Sequence, residues 1–278
     1  MDNKKLQEFI ENCIQEDIKD GDHTSICCIP NNKKGTASLI SKENAIVAGV
    51  ELAKKIFNYY DKDLNVELLK TDGQNITKEE VILKITGNIR SILAMERLVL
   101  NCMQRMSGIA TKTRKIINLI SDFNVKLLDT RKTTPNLRFL EKWAVKIGGG
   151  ENHRMGLYDA ILIKDNHIDY SKGITFTVKQ AINYSNNVKK IPIIVEVRTI
   201  EELNQIISFD EIYRVILDNF KIDQIKKAVK IISKKFPIEV SGNITENNIK
   251  DFAATGVEFI SMGALTHSVQ NIDMSLKA

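Results

Sequence analysis

The chain has 278 residues, 43% of them hydrophobic, which is enough for one large domain or two moderate ones with a packed core. Its formal charge of +5 is modest for this length and its lysines are scattered, so nucleic-acid binding is not needed to explain the charge. No apolar run is long enough to cross a bilayer, and the opening stretch MDNKKLQEFIENC lacks the apolar core of a signal peptide. The four cysteines have no metal-ligand spacing with histidines, so reduced thiols are expected. We therefore expect a globular cytoplasmic protein that binds neither nucleic acid nor membrane.

The first hundred residues predict a small mixed domain. Helical spacing is expected at 3–18 and 50–59, and strands are expected at 36–41, 45–48, 66–69 and 81–85. The first two strands should pair, and the helices should flank an antiparallel sheet. A long helical pattern then runs from residue 91 to about 120 and is interrupted at Ser107 and Gly108. We place the domain boundary at that interruption, between residues 1–106 and 107–268.

After the boundary, short apolar runs alternate with amphipathic segments. Such alternation is typical of a parallel sheet closed or half-closed into a barrel. The predicted strands are 125–128, 160–163, 193–197, 214–217, 237–240 and 258–261. These six strands are fewer than the eight of a complete TIM barrel.

Cationic side chains are concentrated in one stretch, residues 129–167. Arg131 with Lys132, and Lys164, stand at the C-terminal ends of two predicted strands. In parallel α/β folds these strand ends form the edge where ligands bind, so their repetition favours an anion site over solvated surface charges.

The segment between these strands predicts a helix and then a flexible turn. Thr134 is a suitable N-cap, Pro135 fits the first helical position and Gly148 is a stop. Three consecutive glycines precede His153 and Arg154, and they would let the backbone approach a ligand closely.

The other strand ends carry carboxylates and small residues. Glu196 and Asp218 end two neighbouring strands. Ser241 with Gly242, and Gly263, leave backbone N–H groups open at helix N-termini, where phosphates bind. Cations on one part of the mouth and carboxylates on the next suit an anion on one side and a metal-bound diphosphate sugar on the other.

Several motifs in this region resemble those of the quinolinate phosphoribosyltransferases, also called carboxylating nicotinate-nucleotide pyrophosphorylases. They are DTRKTTP, GGGENHRMGLYDAILIKDNH, SGIATKT, LDN and SMGALTHS, and the resemblance runs from EDIKDGDHTS near the N-terminus to THS near the C-terminus. It implies a type II phosphoribosyltransferase fold, an N-terminal α/β sandwich joined to an incomplete, open-sided α/β barrel, with the tail 269–278 returning to the sandwich.

The resemblance also implies a reaction. A phosphoribosyl group would pass from phosphoribosyl pyrophosphate to quinolinate, with Mg²⁺ and with decarboxylation, giving nicotinate mononucleotide, pyrophosphate and CO2 for de novo NAD biosynthesis. It further implies a homodimer in which Arg97 completes the anion pocket of the partner subunit.

Residue roles follow from the matching motifs. Quinolinate would be held by Arg97, Thr130, Arg131, Lys132, His153, Arg154 and Lys164. The phosphoribosyl half would be held by Glu196, Asp218, Ser241, Gly242, Asn243, Met262, Gly263 and Ala264. The catalytic residues would be Lys132, Lys164, Glu196 and Asp218, of which Glu196 and Asp218 would also bind the metal.

The chain departs from the family's pattern at two positions. Ile194 stands where members often carry a glutamate, so Glu196 serves alone. Asn243 replaces a common glycine, which is tolerable because asparagine reaches positive φ more readily than other non-glycine residues. His167 and His267 are expected to be structural.

Two alternatives stay open. The first is a phosphoribosyltransferase of the same fold that acts on nicotinate or another aromatic acid, or a relative associated with molybdenum transport. A monocarboxylate would need fewer cations than are supplied by Arg131, Lys132 and the segment Asn152–Arg154. The second is a non-catalytic phosphate- or RNA-binding barrel, which Glu196 and Asp218 disfavour because carboxylates repel an RNA backbone.

Overall fold

The computed structural model describes residues 3–278, and the chain divides into two compact units, Met1–Lys112 with Val269–Ala278, and Thr113–Ser268. The elements up to the long central helix are α1 (Asn3–Asp17), α2 (His23–Cys28), β1 (Lys34–Ser41), β2 (Ala45–Ile46), α3 (Val50–Tyr60), β3 (Asn65–Leu68), β4 (Asn75–Ile76), β5 (Val81–Asn88) and α4 (Ile89–Leu119). The elements after it are β6 (Lys126–Leu128), α5 (Arg138–Ile147), β7 (Ile161–Ile163), α6 (Asp165–Asp169), α7 (Ile174–Asn187), β8 (Ile193–Val197), α8 (Ile200–Ile206), β9 (Ile212–Asp218), α9 (Ile222–Ile232), β10 (Ile238–Ser241), α10 (Ile249–Ala253), β11 (Phe259–Ser261), α11 (Ala264–His267) and β12 (Met274–Lys277).

The first unit is built on a four-stranded antiparallel sheet of order β12-β1-β5-β3. The expected pairing of the runs 36–41 and 45–48 is wrong, because Ala45–Ile46 pairs with Asn75–Ile76. Strand β1 already has β12 on one edge and β5 on the other, so it has no free edge for a third strand. The tail of the chain, through β12, is therefore part of this sheet.

Helix α4 runs without a break through Ser107 and Gly108, where the sequence predicted an interruption. The Ser107 hydroxyl accepts a hydrogen bond from the N–H of Ala48 at 2.9 Å and donates to its carbonyl at 3.2 Å. A Cβ on Gly108 would collide with the carbonyl oxygen of Gln270. The two small residues thus permit close packing instead of ending the helix. No helix within residues 3–278, this one included, is long and apolar enough to span a membrane.

The second unit contains a six-stranded parallel sheet of order β6-β11-β10-β9-β8-β7. All six predicted strands are present. Strands β6 and β7 are consecutive in sequence, yet they form the two edges of the sheet, which makes the barrel incomplete and open between them. Inside it lies a buried cluster of Ala160, Leu162, Ile194 and Ile216. Ile194, one of the two departures from the family's pattern, is thus a core residue.

Helix α5 begins at Arg138, three residues later than the sequence predicted. Thr134 does not cap it, because its N–H and hydroxyl donate to the two carboxylate oxygens of Glu141 at 3.1 and 2.9 Å. Asn136 has a φ of 63°, so the residues after Thr134 form a turn. Glu141 is only 1% exposed, and its bonds tie the loop that follows β6 to the helix. The helix ends at Ile147, immediately before Gly148, as predicted.

Candidate active site

The C-terminal ends of the parallel strands surround a cavity of about 710 Å³. The residues assigned from sequence that line it are Thr130, Arg131, Lys132, His153, Arg154, Lys164, Glu196, Asp218, Ser241, Gly242, Asn243 and Gly263. The lining residues that the sequence did not single out are Leu162, Asp165, Ile216, Asn219, Glu239 and Ser261. Because parallel strands end at a common edge, residues far apart in sequence meet here.

Three assigned residues do not line this cavity. Arg97 is an exposed residue of α4 in the first compact unit. Met262 is 3% exposed. Its backbone N–H donates to the carbonyl of Leu128 at 3.0 Å, so this N–H already has a partner within the sheet. Ala264 begins α11 outside the lining.

Lys132 is held in place from two sides. Its N–H donates to the hydroxyl of Thr130 at 3.0 Å, and its carbonyl accepts from the hydroxyl of Thr266 at 2.8 Å. A Cβ on Gly263 would lie only 2.8 Å from the Cδ of Lys132, so the absence of a side chain at 263 lets the lysine stem cross the end of β11. The loop after β6 therefore presents its cations in a defined place.

A buried ion pair anchors this loop and the loop that carries His153. Asp129 and Lys142 pair with both side chains fully buried, and Asp129 also accepts the N–H of His153 at 2.9 Å. Lys142 donates to the carbonyl of His153 at 3.1 Å. Burial raises the pKa of Asp129 and lowers that of Lys142, while their mutual attraction opposes both shifts. No spacing rule links residues 129 and 142, so sequence reasoning missed the pair.

Both ring nitrogens of His153 are engaged. Its Nδ1 accepts the N–H of Arg154 at 2.7 Å, and its Nε2 lies 3.4 Å from a carboxylate oxygen of Glu239. Because Nδ1 accepts, the ring proton of this arrangement lies on Nε2 and faces Glu239. His153 in this arrangement orients the neighbouring arginine and faces Glu239.

The cationic side of the cavity contains two neighbouring arginines, Arg131 and Arg154. Arg154 donates to the carbonyl of Ala160 at 3.1 Å. Burial lowers the pKa of Arg154, and the charge of Arg131 lowers it further. The two neighbouring guanidinium groups create a positive potential that an anion would relieve.

Glu239 is a buried carboxylate in the cavity wall, 1% exposed. It accepts a hydrogen bond from Arg214 at 2.8 Å, and that guanidinium stacks on Phe259 with its carbon 4.0 Å from the ring centre. Burial acts to raise the pKa of Glu239, but hydrogen bonds from His153, Arg214 and Ser261 outweigh it and bring the pKa below its usual value. In the sequence, the indication of Glu239 was an acidic residue inside the otherwise apolar predicted strand 237–240.

The cation and carboxylate sides meet at the ion pair between Lys164 and Glu196, 2.6 Å apart. Burial raises the pKa of Glu196, the bond from Lys164 opposes this, and the nearby charge of Asp218 adds to the rise. His167 accepts the N–H of Lys164 on its Nδ1 at 3.0 Å, so it orders this turn, as predicted.

The last wall is formed by the ends of β9 and β10, where Asp218 lies beside Ser241 in the sheet register. The Ser241 hydroxyl donates to Asp218 at 2.8 Å. Gly242 and Asn243 have φ values of 90° and 50°, so asparagine at 243 does adopt the left-handed conformation. Across the described part of the chain there is no group of three or more His, Cys, Asp or Glu side chains that could hold a metal ion.

Two family models match the chain. The one described as quinolinate phosphoribosyl transferase, N-terminal domain, matches residues 22–107. The one described as quinolinate phosphoribosyl transferase, C-terminal domain, matches residues 109–277. The second match contains every residue that lines the cavity.

Individual relatives agree with these matches. The chain is 40% identical over 288 residues to a chloroplastic nicotinate-nucleotide pyrophosphorylase (carboxylating) of Oryza sativa subsp. japonica, covering 98% of this chain and 77% of the relative. It is 39% identical over 276 residues to a probable nicotinate-nucleotide pyrophosphorylase (carboxylating) of Bacillus subtilis strain 168, covering 99% and 94%. The solved structure of the nicotinate-nucleotide pyrophosphorylase from Francisella tularensis superposes with a TM-score of 0.92 at 41% identity, covering 100% and 97%.

Proposed function

The chain belongs to the quinolinate phosphoribosyltransferase family, and from this membership we infer its reaction. It transfers the phosphoribosyl group of phosphoribosyl pyrophosphate to the ring nitrogen of quinolinate with decarboxylation, giving nicotinate mononucleotide, pyrophosphate and CO2, a step of NAD biosynthesis. The observation that carries this inference is the division of one cavity into a cationic side and a side of carboxylates and small residues.

The cationic side suits a dicarboxylate. Arg131, Arg154 and Lys164 line the same cavity, and the charge of Arg131 lowers the pKa of Arg154. Arginine pairs bidentately with carboxylates, so two of them with a lysine offer enough donors for both acids of quinolinate. Lys132, fixed over Gly263, would contact the bound substrates between the two sides.

The reaction needs positioning more than proton transfer. The ring nitrogen donates its electron pair to C1 of the ribose while the bond from C1 to the diphosphate oxygen breaks and its electrons leave with pyrophosphate. The carboxylates of Glu196 and Asp218 would stabilise the cationic sugar of the transition state. The bond from C2 to its carboxylate then breaks, and the electron pair left on C2 is stabilised by the adjacent ring cation until C2 takes up a proton.

We further propose that the reaction depends on Mg²⁺. Glu196 and Asp218 would hold the ion together with the diphosphate, since Mg²⁺ is usually bound by one or two carboxylates plus substrate phosphates. Two carboxylates at one edge of the cavity, with no larger cluster in the described residues, suit such an ion that arrives with its substrate. When bound, Mg²⁺ would offset the charge of the departing pyrophosphate.

We also propose a homodimer in which Arg97 completes the cationic side of the partner's cavity. Arg97 is exposed and belongs to the first compact unit, whereas every lining residue of the cavity belongs to the second. A side chain supplied across a two-fold interface would add a further cation to the dicarboxylate site. The cytoplasmic location expected from the sequence stays a prediction.

The test is turnover with quinolinate and with nicotinate, each with phosphoribosyl pyrophosphate and Mg²⁺, following mononucleotide and CO2. We expect quinolinate to react and nicotinate not to, because a monocarboxylate would leave arginine donors without partners. Addition of a chelator should stop the reaction. Equal turnover of both acids would point to another phosphoribosyltransferase of this fold, and phosphate binding without any turnover would point to a binding protein.

A further inference from the structure

Asp218 at the end of β9 is held on both of its carboxylate oxygens. The hydroxyl of Ser241 donates to Oδ1 at 2.8 Å, and the side-chain amide of Asn219 donates to Oδ2 at 2.7 Å. Each carboxylate oxygen can accept two hydrogen bonds, so one acceptor position remains on each for a ligand. The plane of the carboxylate is therefore defined by two protein donors, one of which the sequence did not predict.

Asn219 is in turn oriented by Asn243. The amide of Asn243 donates to the Oδ1 of Asn219 at 3.0 Å. The two residues have φ values of 56° and 50°. Gly242, which precedes Asn243, has no room for a side chain, because a Cβ there would collide with the Asn219 side chain. The backbone of this turn thus brings the two amides together.

The functional groups of these side chains determine which atom donates and which accepts in each hydrogen bond of this chain. An ionised Asp218 can only accept, so the NH2 of Asn219 must face it and the oxygen of Asn219 must face Asn243. Asn243 can then satisfy that oxygen only with its own NH2. All three residues line the cavity. Asn243 is also the position at which the family often carries glycine, which has no amide to offer.

We propose that Asn219 and Asn243 are positioning residues, forming an amide relay that orients Asp218 for phosphoribosyl transfer and links its orientation to the phosphate-binding turn at Gly242. This inference rests on the proposed function, in which Asp218 faces the ribose and the turn holds the 5-phosphate. Contacts of the phosphate with the turn and of the ribose with Asp218 would then be interdependent.

Glycine substitutions test the relay without disturbing the backbone. Asn219→Gly and Asn243→Gly remove the amides while the new residue still adopts positive φ at little cost. Lys234→Gly is the matched control, because Lys234 has a φ of 65°, is exposed and lies outside the cavity lining. The Michaelis constants for both substrates, kcat and the melting temperature are measured for each variant and for the double variant.

We expect the KM for phosphoribosyl pyrophosphate to rise about tenfold in Asn219→Gly, which loses a bond to a charged group, and about threefold in Asn243→Gly, which loses a neutral one. The double variant should be no worse than Asn219→Gly, because the side-chain amide of Asn243 acts only through Asn219, while the backbone N–H groups of the turn, which would hold the phosphate, are retained. The KM for quinolinate and the melting temperature should stay at the values of Lys234→Gly. Effects that multiply in the double variant, an equal change for quinolinate, or lost thermal stability with unchanged KM would each overturn the relay.

A change of polarity gives a second readout. In Asn219→Asp an acceptor replaces the donor facing Asp218, so the two carboxylates repel unless they share a proton. We expect a loss of phosphoribosyl pyrophosphate affinity larger than in Asn219→Gly. An affinity equal to or higher than that of Asn219→Gly would contradict the relay.

Binding measured by calorimetry separates this inference from the proposed reaction. A wild-type chain that binds phosphoribosyl pyrophosphate without consuming quinolinate would contradict the reaction, and the affinities of the variants would still decide the role of the two asparagines. Unchanged affinities in variants of an active enzyme would overturn the relay alone.

Discussion

Lys132 and Lys164 occupy equivalent strand ends, but their surroundings differ. Lys164 is ion-paired with Glu196 at 2.6 Å, so removing its charge also leaves a carboxylate without its partner. Lys132 is exposed and is positioned through its backbone by Thr130 and Thr266. The side chain of Lys132 is therefore the simpler of the two for testing a direct role in turnover.

We expect Lys132→Met to lower turnover by at least about a hundredfold, as loss of a positioned charge near the reacting centre typically does. The melting temperature should not change, because the side chain contributes no core packing. Lys227→Met, at an exposed position of α9, is the control and should retain full activity. Lys164→Met should show the same loss of turnover. A large fall in thermal stability in either active-site variant would indicate a structural role.

A second prediction separates the two sides of the cavity. Glu196→Gln and Asp218→Asn keep the shape of each side chain and remove its charge, so affinity for phosphoribosyl pyrophosphate should fall about tenfold or more while quinolinate affinity changes little. Burial raises the pKa of Glu196, so wild-type affinity should weaken as pH falls through that pKa. Glu196→Gln should lack this dependence. If calorimetry showed quinolinate affinity lost in both variants and phosphoribosyl pyrophosphate binding intact, the two sides would be assigned in reverse.

Individual site residues were predicted from the sequence by their position after a strand. That reasoning located Arg131, Lys164 and Asp218, because the ends of parallel strands share one edge. It could not find Glu239, whose direction depends on strand register, or the partner of Asp129, which is thirteen residues away on a helix. Contacts set by tertiary packing leave no local pattern to read.

Elements were predicted well where an apolar run is continuous and poorly where a polar side chain bonds to its surroundings. All six barrel strands were found from their apolar runs. The start of α5 was misplaced because Thr134 bonds to Glu141 instead of capping the helix. The break expected in α4 was absent, because Gly108 and Ser107 accommodate neighbouring backbone instead of ending the helix.

The close approach at Gly108 makes a prediction about α4. A methyl group there would press on the carbonyl of Gln270, and overpacking of this kind costs about 1–3 kcal/mol, which exceeds the roughly 1 kcal/mol of helix propensity that alanine gains over glycine. Gly108→Ala should therefore lower the free energy of unfolding, measured by urea titration. Asn101→Ala, on an exposed face of the same helix, is the control and should have little effect. A stabilised Gly108→Ala would mean that the tail segment moves aside freely.

For the whole molecule, the division into units raises the question of how Arg97 could serve the cavity. It belongs to the first unit, and all of the lining belongs to the second. The proposed homodimer answers it by letting each chain supply Arg97 to its partner. The competing explanation is an exposed helix arginine of no catalytic importance, since most arginines lie at the surface.

Subunit exchange distinguishes these explanations. Arg97→Ala and Lys132→Ala should each be inactive alone, because every site then lacks one of the two residues. In a mixed dimer, one composite site combines the Arg97 of one chain with the Lys132 of the other and is fully native, while its second site lacks both. Random exchange of equal amounts should thus restore about a quarter of wild-type activity, since half of the dimers are mixed and each has one working site. Exchange between two Lys132→Ala preparations, one of them tagged, is the control and should restore nothing. Mixed dimers that are shown to form but stay inactive would place Arg97 outside the partner's site.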